Sequence, residues 1–434
     1  MGHDGSSRQL GLLAIIGPGL LVAATGVGAG DLATAGLTGS QLGVTVLWAV
    51  LLGAFLKYLL TEGLARYQLV TGQTLLEGAV YRLGKSVKYI FLPYLLLWSF
   101  FVGSALMSAC GVATHAMIPV FDDPDRGKEV FGILHSVIGV VLVVRGGFKV
   151  FEKVMRVCIA FMFVTVLATA CLVQPDWLAV LKGLVYPKIP DVTGQGLGWT
   201  VALMGGVGGT LTVLCYGYWI REKNRSGEAH LRICRIDLAV AYAATAVFGM
   251  AMVIIGSKVD LLDGKGANLV VVLADRLSET LGPVGRWIFL VGAWGALFSS
   301  LLGVWQAVPY IFADFISMIG RQSRGEGPPA QPVAIDTRRG MYRLYLILIA
   351  VVPMAGVIRA IDFSQIQKIY AIIGAFFMPL LAVALLILNG RADWVGRGQR
   401  NRVMTVLVLL ATLVFFAWVA ADKVYRSIQA MVSG

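Results

Sequence analysis

Thr25-Gly-Val-Gly-Ala-Gly-Asp31 decides how this chain is read. It lies inside the first long apolar segment, which runs from about Leu10 to Leu42. Each glycine weakens a helix by roughly 1 kcal/mol against alanine. A carboxylate at mid-membrane costs roughly 2.5–3.5 kcal/mol more. A span that accepts both is expected to be two half-helices joined by an unwound turn facing a cavity. Gly205-Gly206-Val207-Gly208-Gly209-Thr210 repeats the interruption much later in the chain. Two broken helices in a many-span protein point to the substrate site of a transporter.

Composition supports the membrane reading. Of 434 residues, 58% are hydrophobic and only 14% charged, against about 25% charged in soluble domains. Apolar runs of about 20 residues recur, so the class is all-α integral membrane protein rather than barrel. The net charge of +12 reads as topogenic charge in cytoplasmic loops, not as a nucleic-acid footprint. The polar start, Met1 to Gln9, leads straight into a span, with no cleavable signal.

Eleven spans are expected, at about 11–40, 43–65, 89–117, 130–144, 150–173, 198–220, 237–257, 285–318, 341–358, 364–388 and 403–421. With the N-terminus cytoplasmic, the inner segments carry roughly twice the Lys and Arg of the outer ones, which favours N-in and C-out in the cell (inner) membrane. Asp122, Asp123 and Asp125 then fall outside. Spans one to five (10–173) and six to ten (198–388) are each led by a glycine-broken helix. Five is odd, so the second set enters from the opposite side. That makes a 5+5 inverted repeat with 403–421 as an added helix, all within one transmembrane domain (1–434).

No enzyme is indicated: no nucleophile and base lie together, and His3, His115, His135 and His230 are isolated. Cys110, Cys158, Cys171, Cys215 and Cys234 show no metal or redox spacing, and Cys215 reads as packing. No cofactor is expected. Thr61-Glu62 with Arg66 reads as a surface i,i+4 pair. Asp314 reads as interfacial. Lys57 lies inside span two. It either snorkels to the cytoplasmic face or sits near the core, where it offsets Asp31 or replaces a coupling ion.

These residues resemble the Nramp family of divalent-metal transporters, whose fold is the LeuT-type inverted repeat. The likeness covers most of the chain and rests on several stretches. Gly17-Pro18-Gly19 opens span one as the family's Gly-Pro-Gly does. Arg66 with Val70-Thr71-Gly72 follows span two, and Arg145-Gly146-Gly147 through Phe151-Glu152 links spans four and five. Tyr186-Pro187 precedes span six, and Ser299-Ser300, Gly303 and Gln306 lie in span eight. The signature motifs depart from the family. Its Asp-Pro-Gly-Asn falls on Gly28-Ala29-Gly30-Asp31, so the first metal-binding carboxylate is Gly28 and the asparagine ligand is Asp31. Its Met-Pro-His-Asn falls on Gly209-Thr210-Leu211-Thr212, which removes the thioether that selects soft metals. A later histidine of the family falls on Tyr216, and span three has no carboxylate for a proton path.

The resemblance implies a secondary transporter, a symporter in the family, with Thr25, Gly28, Asp31, Gly209, Thr210 and Thr212 at the substrate. Asp31, Gly28 and Gly209 occupy the metal positions, and Lys57 and Tyr216 are candidates for coupling. The small residues imply a roomier site with hard oxygen ligands, suited to a hydrated or Mg²⁺-like divalent cation. One carboxylate is thin against a dication. A monovalent or organic cation, or another small polar solute, fits the same residues, with Tyr216, Tyr218 or Trp219 as an aromatic wall. A non-transporting membrane sensor is a third reading. The glycines have a plain alternative as close-packing positions, and Asp31 as the N-cap of a second half-helix. The expected partners are the lipid bilayer and the small solute; oligomeric state is open.

Overall fold

Apolar runs with little periodic contrast form long helices because a membrane-spanning backbone must satisfy its own hydrogen bonds. A computed structural model describes residues 17–84, 86–192, 195–258, 268–329, 340–358 and 363–433, all helix, turn and loop among those residues. The expected start of span one at 11–16 and residues 330–339 of the link after span eight lie outside the described residues.

Among the described residues, nine helices are long and apolar enough to cross a membrane, with a shorter apolar helix at Val403–Val419. The first of the nine, Gly30–Thr71, turns a corner at Gly43, where φ is +67°. It therefore holds the end of span one and all of span two, Leu47–Thr71. Taking it as two and adding the last helix recovers the eleven spans.

Two glycines mark where a span begins or ends inside a longer helix. Pro124–Leu172 is interrupted at Gly147, with φ +62°, which separates spans four and five at the Arg145-Gly146-Gly147 link. The fourth span is longer than its apolar core suggested. It begins in charged sequence, with Asp123 accepting from the Asp125 N–H and Lys128 paired to Asp125 at 2.7 Å. Asn268–Ser323 is likewise interrupted at Gly282, so span eight is Gly282–Ser323.

Span six, Gly196–Glu222, is the molecule's axis: 94% of its apolar window is buried, against 28% for span four, Pro124–Phe148. Span one packs against spans six, seven and eight. The periphery carries exposed apolar side chains such as Phe55, Leu97, Val164, Ile347 and Leu407, as a lipid-facing surface requires. The two interrupted spans therefore cross at the centre of the bundle.

Candidate functional site

Span one is not unwound. It runs as α-helix from Pro18 to Gly26, widens to a π-helix over Val27–Ala35, and returns to α-helix over Gly36–Leu42. Each widened turn displaces backbone groups from their α-helical partners. Span eight supplies the replacement: the Gly28 N–H donates to Ser300 Oγ at 2.7 Å, and Ser300 Oγ donates to the Ala24 carbonyl at 2.9 Å. Thr25 turns back on its own helix and donates to the Leu21 carbonyl at 2.7 Å.

Span six is truly broken. Its first half, Gly196–Gly206, ends as Val207 becomes extended (ψ 124°). Gly208 and Gly209 follow at φ +74° and +87°, the left-handed region open to glycine. A 3₁₀ turn, Leu211–Leu214, then leads into Cys215–Glu222. The break leaves main-chain groups of the first half without helical partners.

Two side chains take up these groups. Asp31 is fully buried, and its Oδ2 accepts the Gly208 N–H at 3.2 Å. Asp31 lies within the continuous π-helical stretch, so there is no helix start for it to cap; it bonds across to the other broken span. Its Oδ1 has no hydrogen-bond partner. Beside that oxygen stands Gly249 of span seven, where a Cβ would come within 3.1 Å of it.

Lys57 does not snorkel. It is 1% exposed, and its ammonium donates to the Gly205 carbonyl at 2.6 Å and to the carbonyls of Val207 and Gly209. All three acceptors flank the break. An ammonium here also meets the negative end of the first half-helix. Lys57 and Asp31 thus bind the same turn, one through its carbonyls and one through the Gly208 N–H, without an ion pair between them.

The glycines do not open a roomy cavity. They bring two backbones together. A Cβ on Gly26 would lie 2.3 Å from the Gly209 nitrogen, and one on Gly30 would lie 2.1 Å from the Gly206 oxygen. The close-packing reading of these residues holds in this conformation. The Gly28 position faces Ser300 rather than the break, with a Cβ falling 2.5 Å from Ser300 Oγ. A carboxylate like the family's has no space there in this state.

Thr210 and Thr212 are committed locally. Thr210 Oγ1 accepts from Trp98 Nε1 at 2.7 Å, and Thr212 Oγ1 accepts the Thr210 N–H at 3.3 Å. Three residues that sequence reading passed over line the break: Trp98, Tyr242 and Thr245. Tyr242 shares a hydrogen bond of 2.7 Å with Thr61, and a Cβ on Gly208 would touch both the Tyr242 ring and Thr245. An aromatic ring carrying a hydroxyl in an apolar span is the one sequence signal that could have flagged Tyr242.

Tyr216 belongs to a different cluster. Its hydroxyl donates to Asp237 Oδ2 at 3.1 Å, far along the chain from Asp31. The same carboxylate accepts from Arg225 at 3.0 Å, from the Gly19 N–H at 2.9 Å and, through Oδ1, from the Gly17 N–H at 3.1 Å. Asp237 thus caps the start of span one from span seven. Tyr216 neither walls the break nor meets Lys57. Tyr218 and Trp219 also point into polar contacts at this end, with Asp314 at 2.7 Å and Gln306 at 3.0 Å. Asp314 is buried within the bundle. Glu62 and Arg66 are not a surface pair: both are largely buried, and Arg235 joins Glu62 at 2.8 Å. With Lys223–Glu152 at 2.7 Å and Arg221–Glu77 at 2.8 Å, these contacts gather at one end of the bundle. Among the described residues no three His, Cys, Asp or Glu side chains gather into a metal cluster.

A helical bundle in which a π-widened span one crosses a broken span six at the centre is the architecture of a LeuT-type transporter fold. The model of the natural resistance-associated macrophage protein-like family matches residues 19–421, and this chain belongs to that Nramp family. One relative is a divalent metal cation transporter MntH of Burkholderia ambifaria, 22% identical over 423 residues, covering 93% of this chain and 87% of the relative. A manganese transporter of Eremococcus coleocola, solved as a point mutant, superposes with a TM-score of 0.70 at 19% identity, covering 95% of this chain and 86% of its own. MhsT bound to L-phenylalanine superposes with a TM-score of 0.58 at 16% identity, covering 94% and 98%.

Proposed function

We propose that this protein is a secondary transporter that moves a divalent metal cation by alternating access, with the substrate held where spans one and six are interrupted. The observation that carries the reading is Asp31, fully buried, bonded through Oδ2 to the Gly208 N–H of the span-six break and with its Oδ1 free. Intramembrane carboxylates facing a bundle interior mark ion pathways. Membership of the Nramp family and the metal transporters among its relatives support the choice of cation.

The donors at the breaks are oxygens: one carboxylate and the carbonyls of Gly205, Val207 and Gly209. Oxygen donors suit hard cations such as Mg²⁺ better than soft transition metals. The reading takes the tight backbone contact of Gly26 and Gly30 with span six as a closed state. A hydrated ion would load after the two spans part. The reading places the protein in the cell membrane with its N-terminus cytoplasmic. The ion-paired end is then the inner gate, and the two five-span repeats rock against each other.

The test is uptake into proteoliposomes containing an internal indicator, with Mn²⁺, Mg²⁺ and Ca²⁺ offered to the wild type and to Asp31→Ala. Saturable uptake that is lost in the variant supports the reading. No uptake of any of the three by folded wild type overturns it.

One observation favours a second reading, a small organic solute on the same scaffold. The Lys57 ammonium already satisfies the carbonyls that a metal would use. Folded protein that ignores divalent ions but takes up amino acids or organic cations would establish that alternative.

A further inference from the structure

We propose that the carbonyls of Gly205, Val207 and Gly209 form a monovalent-cation site whose resident is the tethered ammonium of Lys57, with the Asp31 carboxylate, bonded to the same turn, as its counter-charge. Three converging main-chain carbonyls are the donor set of a desolvated alkali or ammonium ion, since each carbonyl oxygen offers lone pairs to a positive charge. The break exposes these oxygens, and at this depth leaving them unmet costs several kcal/mol each. Lys57 meets all three while being 1% exposed. Its side chain comes from span two, outside both interrupted spans, so the charge is delivered by a neighbouring helix rather than by the turn itself.

The second observation is independent. Asp31 keeps one carboxylate oxygen buried and without a partner, next to the turn that Lys57 holds. Most buried polar groups are paired, so a bare carboxylate oxygen at this depth calls for an explanation. Two groups of opposite charge bind the same short turn through the main chain instead of each other. The arrangement can therefore release one and keep the other. When the ammonium withdraws, the cradle presents three carbonyl oxygens to an incoming ion, with the Asp31 carboxylate on the same turn as its counter-charge. When it returns, the turn is neutralised without a co-ion. A carrier built this way resets its empty state with its own side chain. The inference goes beyond the transport reading, and it holds whichever solute is carried.

The experiment uses the full chain purified in detergent and reads thermal unfolding, with sodium, potassium or methylammonium chloride compared with choline chloride at equal ionic strength. For Lys57→Met the expected result is a saturable stabilisation of several degrees by one or more of the small cations in the millimolar range, absent with choline. The wild type should show none, because its site is filled from within. The double variant Lys57→Met with Asp31→Asn should need at least tenfold more cation. If Lys57→Met cannot be purified folded, it is extracted in each salt. Monodisperse protein with small cations and not with choline supports the proposal, and aggregation in every salt overturns it. A folded Lys57→Met variant indifferent to all three cations overturns it, as does a wild type that responds equally. Because this assay reads binding and not uptake, it separates from the metal-transport test: either can fail alone.

Discussion

The two glycine clusters look alike in sequence and behave differently in the bundle. In Gly26-Val-Gly-Ala-Gly30 the glycines alternate with larger residues, and the backbone stays helical while widening to π. In Gly205-Gly206-Val207-Gly208-Gly209 two adjacent glycines both sit at positive φ, and the helix ends. An alternating cluster removes side chains from a face and lets another backbone approach. An adjacent pair permits successive left-handed residues, which ordinary side chains resist at roughly 1–2 kcal/mol each. The first cluster is a docking groove, and only the second is a break, the hinge point between two half-helices. Spacing distinguishes them; glycine content does not.

The largest effect should come from detaching the grooved span at its start. Asp237→Ala removes four hydrogen-bond acceptor contacts and leaves Arg225 beside an empty partner position. Breaking such a buried pair costs about 3–5 kcal/mol. The expected outcome is a marked drop in thermal stability in detergent, with maleimide labelling of the normally buried Cys234 detected by mass spectrometry. Unchanged protection of Cys234 would show that the clasp does not hold this end shut.

The groove and the hinge should then fail in different ways. Gly30→Ala drives a Cβ into the Gly206 carbonyl, which is backbone and cannot rotate away. Its cost belongs at the upper end of the about 1–3 kcal/mol of overpacking. Gly209→Ala meets the flexible end of Thr212 but must hold φ near +87°, a strain of about 1–2 kcal/mol. Melting curves of the two variants should therefore rank Gly30→Ala as the less stable. The reverse order would mean that the closed contact is looser than described.

Ser300→Ala sharpens the π-helical reading. It deletes the hydroxyl that serves the Gly28 N–H and the Ala24 carbonyl, at a cost of about 1–3 kcal/mol for groups left unmet. Hydrogen exchange at the Gly28 amide should accelerate, while exchange at Gly208 stays as it was. The smallest effect belongs to Tyr216→Phe, which removes one of several donors to Asp237 at about 1 kcal/mol. Uptake by this variant should keep the pH profile of the wild type. A shifted profile would restore Tyr216 as a coupling residue.

The spans were legible because a membrane imposes length and apolarity on every helix, and the glycine joints at Gly147 and Gly282 fall where the sequence suggested links. The destination of Lys57 was legible only as a choice of two, because a four-carbon stem reaches either the headgroups or the core. The cluster of Asp237, Arg225 and Tyr216 was not legible. Its members look like ordinary residues at span ends, and only the fold brings the Gly17 and Gly19 amides to them. Asp31 was found by its cost in a membrane, yet its partner, the Gly208 N–H, exists only because a helix ends 177 residues later.

The π-helical stretch has a kinematic consequence. A widened turn is a register fault: one surplus residue lodged in a helix. Each α-helical residue advances the chain by 100° of rotation and 1.5 Å of rise. If the fault migrates along span one, the residues it passes rotate about the axis by roughly one residue's worth while the ends stay where they are. Asp31 lies inside the fault, so such a migration turns its carboxylate toward or away from span six without unwinding the helix or moving the clasp at Gly17.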